Sequence, residues 1–150
     1  MATTVIPANL SVTITESYEL EGVSYGNSRV KTFDTKGKVD QRIMNIAAGE
    51  GVMTTIFSFA AADNQGIGVT ADYTYFRITN LDDTNFITLQ ISTTDSFWVK
   101  LKAGESFMLM DNEMDAIDGS TTFGAFADIV SISADASTAA CDIEYTIVTT

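Results

Sequence analysis

The chain has 150 residues, a formal net charge of −12 and no histidine, and 45% of its residues are hydrophobic. This length and composition predict one globular domain with its own core. The acidic balance argues against general binding to nucleic acid or to an anionic membrane surface, because both attract basic proteins. The lack of histidine removes the commonest general base and the commonest transition-metal ligand, so an enzyme is not expected.

Residues 1–9 form a candidate leader or arm, which precedes a single β-sandwich domain over residues 10–150. The first fifteen residues carry no charged side chain. Such a segment can pair with the sheet edge of a neighbour, or it can be a frayed terminus. It lacks the basic start of a signal peptide, and no stretch of the chain is long and apolar enough to span a membrane. We therefore expect synthesis and folding in the cytosol.

Strand patterns dominate the first 60 residues. Alternating apolar and polar residues predict a strand from Leu10 to about Leu20. Two further strands, Arg29–Phe33 and Lys38–Ile46, are separated by a hairpin-like turn over Asp34–Gly37. The nearly continuous apolar and threonine run Val52–Ala60 predicts a strand that is buried on both sides.

The segment from Tyr73 to Met110 predicts a four-stranded antiparallel meander, because short strand patterns alternate with turns rich in Asn, Asp and Gly. A short helix is expected near 111–118, with Asp111 as N-cap and Gly119 as the residue after its end. Two more strands follow. About nine or ten short strands with regular turns predict an all-β antiparallel sandwich, jelly-roll-like ahead of immunoglobulin-like.

The basic residues are concentrated in one segment. Five of the eight lie between positions 29 and 42. This segment is either a solvated hairpin or a contact patch for an acidic partner. Its members are Arg29, Lys31, Lys36, Lys38 and Arg42.

Trp98 is the second candidate contact. Its neighbours Phe97 and Val99 occupy the apolar positions of their strand, so Trp98 should point outward. An exposed tryptophan marks a ligand platform, for example for a carbohydrate, or a contact between subunits.

No catalytic residue, cofactor-binding residue or metal ligand is predicted. The single cysteine, Cys141, begins an alternating apolar stripe, which indicates a buried thiol. The acidic cluster near 111–118 does not fit an EF-hand loop, because Ala116 stands where glycine is required. The carboxylates are numerous, but no spacing identifies a glycosidase pair.

The segments Phe76–Asp82, Phe86–Ile91 and Phe97–Phe107 together resemble small β-sandwich structural proteins of tailed bacteriophages. These include capsid decoration (cement) proteins and some tail or fibre components. The shared pattern is a strand ending in Thr-Asn, two further strands, and a Gly-Glu-Ser turn into an apolar strand. The resemblance identifies no functional residues.

The resemblance implies a non-enzymatic virion protein, assembled in the host cytoplasm, that binds and reinforces the outer capsid surface. Its partners would be the major capsid protein or another virion protein, and it would be a homo-oligomer, with a trimer favoured. Docking is expected through the Arg29–Arg42 segment and the leader Ala2–Asn9. The alternative is a carbohydrate- or receptor-binding module of a tail or head fibre, and a glycan hydrolase is a distant third possibility.

Overall fold

The computed structural model describes residues 8–34, 38–49, 51–59, 73–114 and 126–149. These residues form twelve β-strands, two of which contain only two residues, and no helix occurs within the described ranges. The strands are β1 (Asn9–Leu20), β2 (Val23–Asp34), β3 (Lys38–Ile46), β4 (Thr54–Ser58), β5 (Tyr73–Asn80), β6 (Ile87–Ser92), β7 (Ser96–Leu101), β8 (Ser106–Leu109), β9 (Glu113–Met114), β10 (Ala127–Asp128), β11 (Ser131–Ala136) and β12 (Cys141–Thr149).

Eight of these strands build a jelly roll. Strand β3 pairs with β12, β4 with β11, β5 with β8 and β6 with β7, all antiparallel, so the pairs are nested in sequence. The nesting produces two four-stranded sheets, with the orders β3-β12-β5-β8 and β4-β11-β6-β7. This arrangement of two packed antiparallel sheets is the jelly-roll architecture. The predicted fold class is therefore confirmed.

The core lies between the two sheets, and strict alternation along the strands fills it. In β6, Ile87, Leu89 and Ile91 are buried, whereas the residues between them are partly exposed. Strand β12 contributes alternate buried residues from the other sheet. The larger fully buried side chains of the core include Ile46, Phe76, Ile78, Ile87, Leu89, Ile91, Ile132, Ile143 and Ile147.

The buried position of Cys141 gives a simple test of this core. Its side chain is fully buried, and burial is the main cause that raises the pKa of its thiol, with the negative charge of Asp82 adding to the effect. Because the thiolate must be exposed to attack a thiol reagent, we expect labelling of Cys141 to require opening of the sandwich. Labelling by Ellman's reagent should be at least about 100-fold slower for the native chain than for the chain in denaturant. Labelling at similar rates in both states would contradict this burial.

The predicted meander over Tyr73–Met110 is wrong. Strands β6 and β7 do form a hairpin, but β5 pairs with β8, and the chain passes from one sheet to the other between β5 and β6. A turn that joins neighbouring strands and a connection that crosses between sheets both favour Asn, Asp and Gly. The turn composition alone therefore could not distinguish the two connections.

The helix expected near 111–118 is also wrong over the part that the structure describes. Glu113–Met114 form β9, which pairs with β10, and residues 115–118 lie outside the described ranges. The N–H of Glu113 donates to the carboxylate of Asp111 at 3.1 Å. An aspartate makes this bond at a helix N-cap and equally in an Asx turn, which is the role that Asp111 has here.

The run Val52–Ala60 differs from its prediction in a smaller way. Strand β4 covers Thr54–Ser58, and Thr55 and Ser58 are exposed, so this strand is not buried on both sides. It forms one edge of its sheet and pairs only with β11 among the described strands. Threonine and serine on the outer face of an edge strand account for the pattern.

Candidate interaction surface

Strands β1 and β2 form a long hairpin that belongs to neither sheet of the sandwich. The two strands pair with each other from Asn9↔Asp34 to Leu20↔Val23, and with no other described strand. Twelve residues per strand give a ribbon about 40 Å long. We call this hairpin the ribbon.

The turn at the tip of the ribbon explains why its second strand was not fully predicted. Glu21 and Gly22 both have positive φ angles, 51° and 78°, as a two-residue type I′ turn requires. Such turns are recognised from Asn-Gly or Asp-Gly, and glutamate is an uncommon first residue. The sequence signal that could have identified this hairpin is the pair Glu21-Gly22 between two runs of alternating residues.

The two faces of the ribbon differ sharply. Six cross-strand pairs, which we call rungs, place their side chains on one face, and most of these side chains are apolar. We call this surface the apolar face. From base to tip its rungs are Leu10/Phe33, Val12/Lys31, Ile14/Arg29, Glu16/Asn27, Tyr18/Tyr25 and Leu20/Val23. The opposite face carries mainly serine and threonine, including Thr15 and Ser28, whose hydroxyls lie 3.3 Å apart.

The apolar face is covered only near its base. Leu10, Val12 and Phe33 are half-buried, and the ring of Phe33 lies 6.4 Å from that of Tyr75 on the sandwich. Towards the tip, Tyr18 and Leu20 are 59% and 60% exposed. The rings of Tyr18 and Tyr25 stack on each other, with centroids 5.1 Å apart, but their outer surfaces face solvent.

This exposure is unusual for a hairpin. An isolated two-stranded ribbon is marginally stable in water, because it has no core to bury its side chains in. No residue of β1 or β2 is buried. An exposed apolar patch larger than scattered single residues typically marks a surface that contacts a partner, and the Tyr18/Tyr25 and Leu20/Val23 rungs form such a patch at the tip. The apolar face is therefore the leading candidate interaction surface.

Two of the predicted basic contact residues lie on the apolar face. The ammonium of Lys31 sits 5.4 Å from the centre of the Phe33 ring. Arg29 is exposed on the next rung, and neither it nor Glu16 forms an ion pair within the described ranges. A guanidinium on an apolar strip is suited to an acidic group on a partner.

The predicted basic hairpin itself is not formed. Strand β2 pairs with β1, whereas β3 pairs with β12, so the basic segment is divided between the ribbon and the sandwich. Lys36 lies outside the described ranges, as do the leader residues before Ala8. Asn9 begins β1, and Lys38 begins β3.

Arg42 is engaged within its own chain. Its Nε donates to Asp40 at 2.8 Å, and this bond raises the pKa of the guanidinium. The other carboxylate oxygen of Asp40 accepts a hydrogen bond from Tyr145 at 2.9 Å. Charged residues on the inward positions of an edge strand discourage pairing with another sheet. We therefore interpret Arg42 as part of the protection of the β3 edge.

The Asp40–Tyr145 bond gives a prediction at alkaline pH. Burial, and then the bond to Asp40, raise the pKa of Tyr145 to about 12, from its ordinary value of 10.0. The contribution of Tyr145 to stability is therefore complete below pH 10 and is lost as the pH rises towards 12. We expect the free energy of unfolding to fall over this window, and Tyr145→Phe to lessen that fall. Burial also raises the pKa of Tyr75, so part of the fall should remain.

Trp98 points outward from β7 as predicted, and 54% of it is exposed. Phe97 and Val99 pack against the core. The register places mainly small polar residues beside Trp98 on this outer face, and no second aromatic side chain joins it among the described strands of the sheet. These neighbours are Thr88, Gln90, Ser92, Ser96, Lys100 and Ser133. Trp98 is thus the single aromatic among the described outward strand residues of this sheet, and the centre of the Phe86 ring, just before β6, lies 3.7 Å from the ammonium of Lys100, a neighbour of Trp98.

Comparisons with protein-family models, with curated proteins and with solved structures found no match to this chain. The functional interpretation therefore depends on the fold and on the ribbon.

The described residues present no other obvious site. They enclose no pocket, and they bring together no group of three side chains suited to holding a metal ion. None of the described segments is a helix that could cross a membrane. The most distinctive surface of the described chain is the apolar face of the ribbon.

Proposed function

We propose that this chain is a non-enzymatic structural protein of a virus particle, held in its assembly by the apolar face of the ribbon. One observation carries this proposal: a ribbon about 40 Å long exposes tyrosine, leucine and valine side chains over its outer half. An isolated hairpin cannot keep such a surface in water at low cost, so the surface is suited to burial against another protein.

The jelly-roll fold supports the same class of function without specifying it. Jelly rolls occur in viral capsid proteins and in lectins, among others, so the fold alone does not choose between structural and binding roles. The resemblance of the Phe76–Phe107 region to phage structural proteins favours a particle, and within a particle it favours capsid decoration. The partner is then the major capsid protein or another virion protein, and the decorating unit is a homo-oligomer.

Fewer residues of the basic segment are candidates for docking in this proposal than the sequence alone indicated. Arg29 and Lys31 share the apolar face, so they can steer and orient a docked partner. Arg42 is engaged by Asp40 and is a weaker candidate for docking. Lys38 begins the β3 edge, away from the ribbon pairing, and is also a weaker candidate.

The experiment compares two double variants for attachment to purified particles in a density gradient. Tyr18→Ser with Tyr25→Ser removes the stacked pair from the apolar face and should lower occupancy at least about tenfold. Thr15→Ala with Ser28→Ala changes the same number of positions on the opposite face and should leave occupancy as in wild type. Equal occupancy for the two variants, or particles that carry none of the wild-type protein, would overturn the proposal.

A second candidate function is supported by Trp98. A single exposed tryptophan among serine, threonine and glutamine side chains can stack on a sugar ring, as in a receptor-binding module of a fibre. Trp98 is the only tryptophan, so its fluorescence reports on this face alone. Quenching by one member of a glycan panel, retained in the Tyr18→Ser/Tyr25→Ser variant, together with calorimetric binding of that glycan that is lost in Trp98→Ala, would favour this function over attachment through the ribbon.

A further inference from the structure

The apolar face requires a cover, and we propose that a second copy of this chain supplies it, with the two ribbons packed face to face and pointing in opposite directions. This inference rests on the assembly role proposed above, and it names a second copy of the chain, in place of the capsid protein, as what covers the apolar face within that assembly. The arrangement has a two-fold axis across the middle of the ribbons, between the Ile14/Arg29 rung and the Glu16/Asn27 rung. Such two-fold contacts are the commonest in homo-oligomers.

Charge complementarity at the axis is the first support. The apolar face has one charged residue on each central rung, Arg29 on the third and Glu16 on the fourth. In the opposed arrangement the third rung of each copy lies at the level of the fourth rung of the other. The axis lays β2 of one copy over β2 of the other, so each Arg29 lies opposite Asn27 of the second copy and diagonally across from its Glu16, which the long guanidinium side chain can reach; symmetry forms this contact twice. The ion pair that neither residue makes within the described chain is thereby supplied.

The rungs beyond the axis also match. The second rung, with Val12 and Lys31, faces the fifth rung of the other copy, where Tyr18 and Tyr25 stack. An ammonium and the face of a tyrosine ring attract each other, and Lys31 already lies close to an aromatic ring in its own chain. The apolar tip, Leu20 and Val23, comes level with the base rung of the other copy, where the sandwich of that copy already covers part of the face.

A parallel arrangement of the ribbons would fit poorly. Equal rungs would then face each other. Lys31 and Arg29 of one copy would lie near Lys31 and Arg29 of the other, and Glu16 would lie near Glu16 of the other copy. Like charges placed opposite each other in an interface are strongly unfavourable. The charge pattern therefore selects the opposed direction.

The area of the contact sets its strength. Because the sandwich covers part of the base rung, the contact is formed by the second to fifth rungs, which span about 25 Å of a ribbon about 10 Å wide and offer about 250 Å² per copy, roughly a third of the 800 Å² per partner in a standard stable interface. We therefore expect weak association that depends on concentration.

The test exchanges the charges at the axis and measures mass by sedimentation at several concentrations. Glu16→Arg alone and Arg29→Glu alone each create two like-charge contacts, and each should weaken the dimer at least about tenfold. An equimolar mixture of the two variants restores both contacts, so it should form a dimer with one copy of each. Restoration by mixing distinguishes a contact between copies from an effect within one ribbon.

Glu19→Arg is the matched control. It makes the same change of charge as Glu16→Arg, but on the serine and threonine face, so it should dimerise as wild type does. A wild-type chain that is monomeric up to about millimolar concentration, a mixture that stays monomeric, or a trimer would overturn the inference.

The failures of the two proposals are distinguishable. A monomeric wild-type chain whose Tyr18→Ser/Tyr25→Ser variant still loses its place on particles would retain the proposed function and reject the second copy as the cover. A dimer that is restored by mixing but never found on particles would retain the second copy as the cover and reject the proposed function.

Discussion

Replacing Asn80 with aspartate is expected to lower the free energy of unfolding by about 3–5 kcal/mol. Asn80 is fully buried at the end of β5, where the chain leaves one sheet for the other. Its Nδ2 donates to the main-chain oxygens of Asn85 at 2.9 Å and Leu101 at 3.3 Å, and its Oδ1 accepts from the N–H of Asp82 at 3.1 Å. Aspartate would bring a carboxylate oxygen against two carbonyl oxygens and would bury an unpaired charge.

The measurement is denaturant unfolding at neutral and at acidic pH. Because the neutral acid is tolerated better than the carboxylate, the loss for Asn80→Asp should shrink as the pH falls towards about 4. Asn27→Asp makes the same change on the exposed ribbon and should alter stability by no more than about 0.5 kcal/mol. Equal effects at the two positions would mean that Asn80 does not join the two sheets.

Removing residues 1–37 is expected to abolish assembly while leaving the sandwich folded. No strand of the ribbon pairs with the jelly roll, and the contact of Phe33 with Tyr75 is the aromatic link between them in the described part of the chain. The truncated chain should therefore unfold cooperatively, with a loss of stability of no more than about 2 kcal/mol. Its self-association and its attachment to particles should fall to background.

Circular dichroism and sedimentation of the truncated chain provide this measurement. A truncated chain that is folded and still assembles would show that the ribbon is not the interaction surface. A truncated chain without cooperative unfolding would show that the ribbon is part of the folding unit, which would contradict the separation of the two sheets from the ribbon.

The fold class could be predicted because the alternation of apolar and polar residues along a strand is visible within a few neighbouring residues. Burial of alternate residues in β6 and β12 and the outward position of Trp98 follow directly from alternation. The buried thiol of Cys141 could be predicted for the same reason. The connections could not be read in this way: whether β5 pairs with β6 or with β8 depends on contacts between distant residues, and the Asn80–Asn85 turn is compatible with either.

The ribbon was missed for a different reason. Strands β1 and β2 have the same alternating pattern as a half-buried strand, and only packing reveals that nothing in the described chain covers the outer part of their apolar face. Basic residues are concentrated at positions 29–42, but the distribution of charge along the chain does not show which strands pair. Arg29 and Lys31 belong to the candidate surface, whereas Arg42 is tied to Asp40.

The central claim is that the apolar face of the ribbon is buried when the protein is assembled. Hydroxyl-radical footprinting of purified particles and of the dilute isolated chain tests it directly, with Trp98 as an internal reference. We expect Tyr18 and Tyr25 to be strongly protected on the particle, while Trp98 is modified equally in both states. Equal modification of the two tyrosines in both states, or protection of Trp98 alone, would contradict the claim.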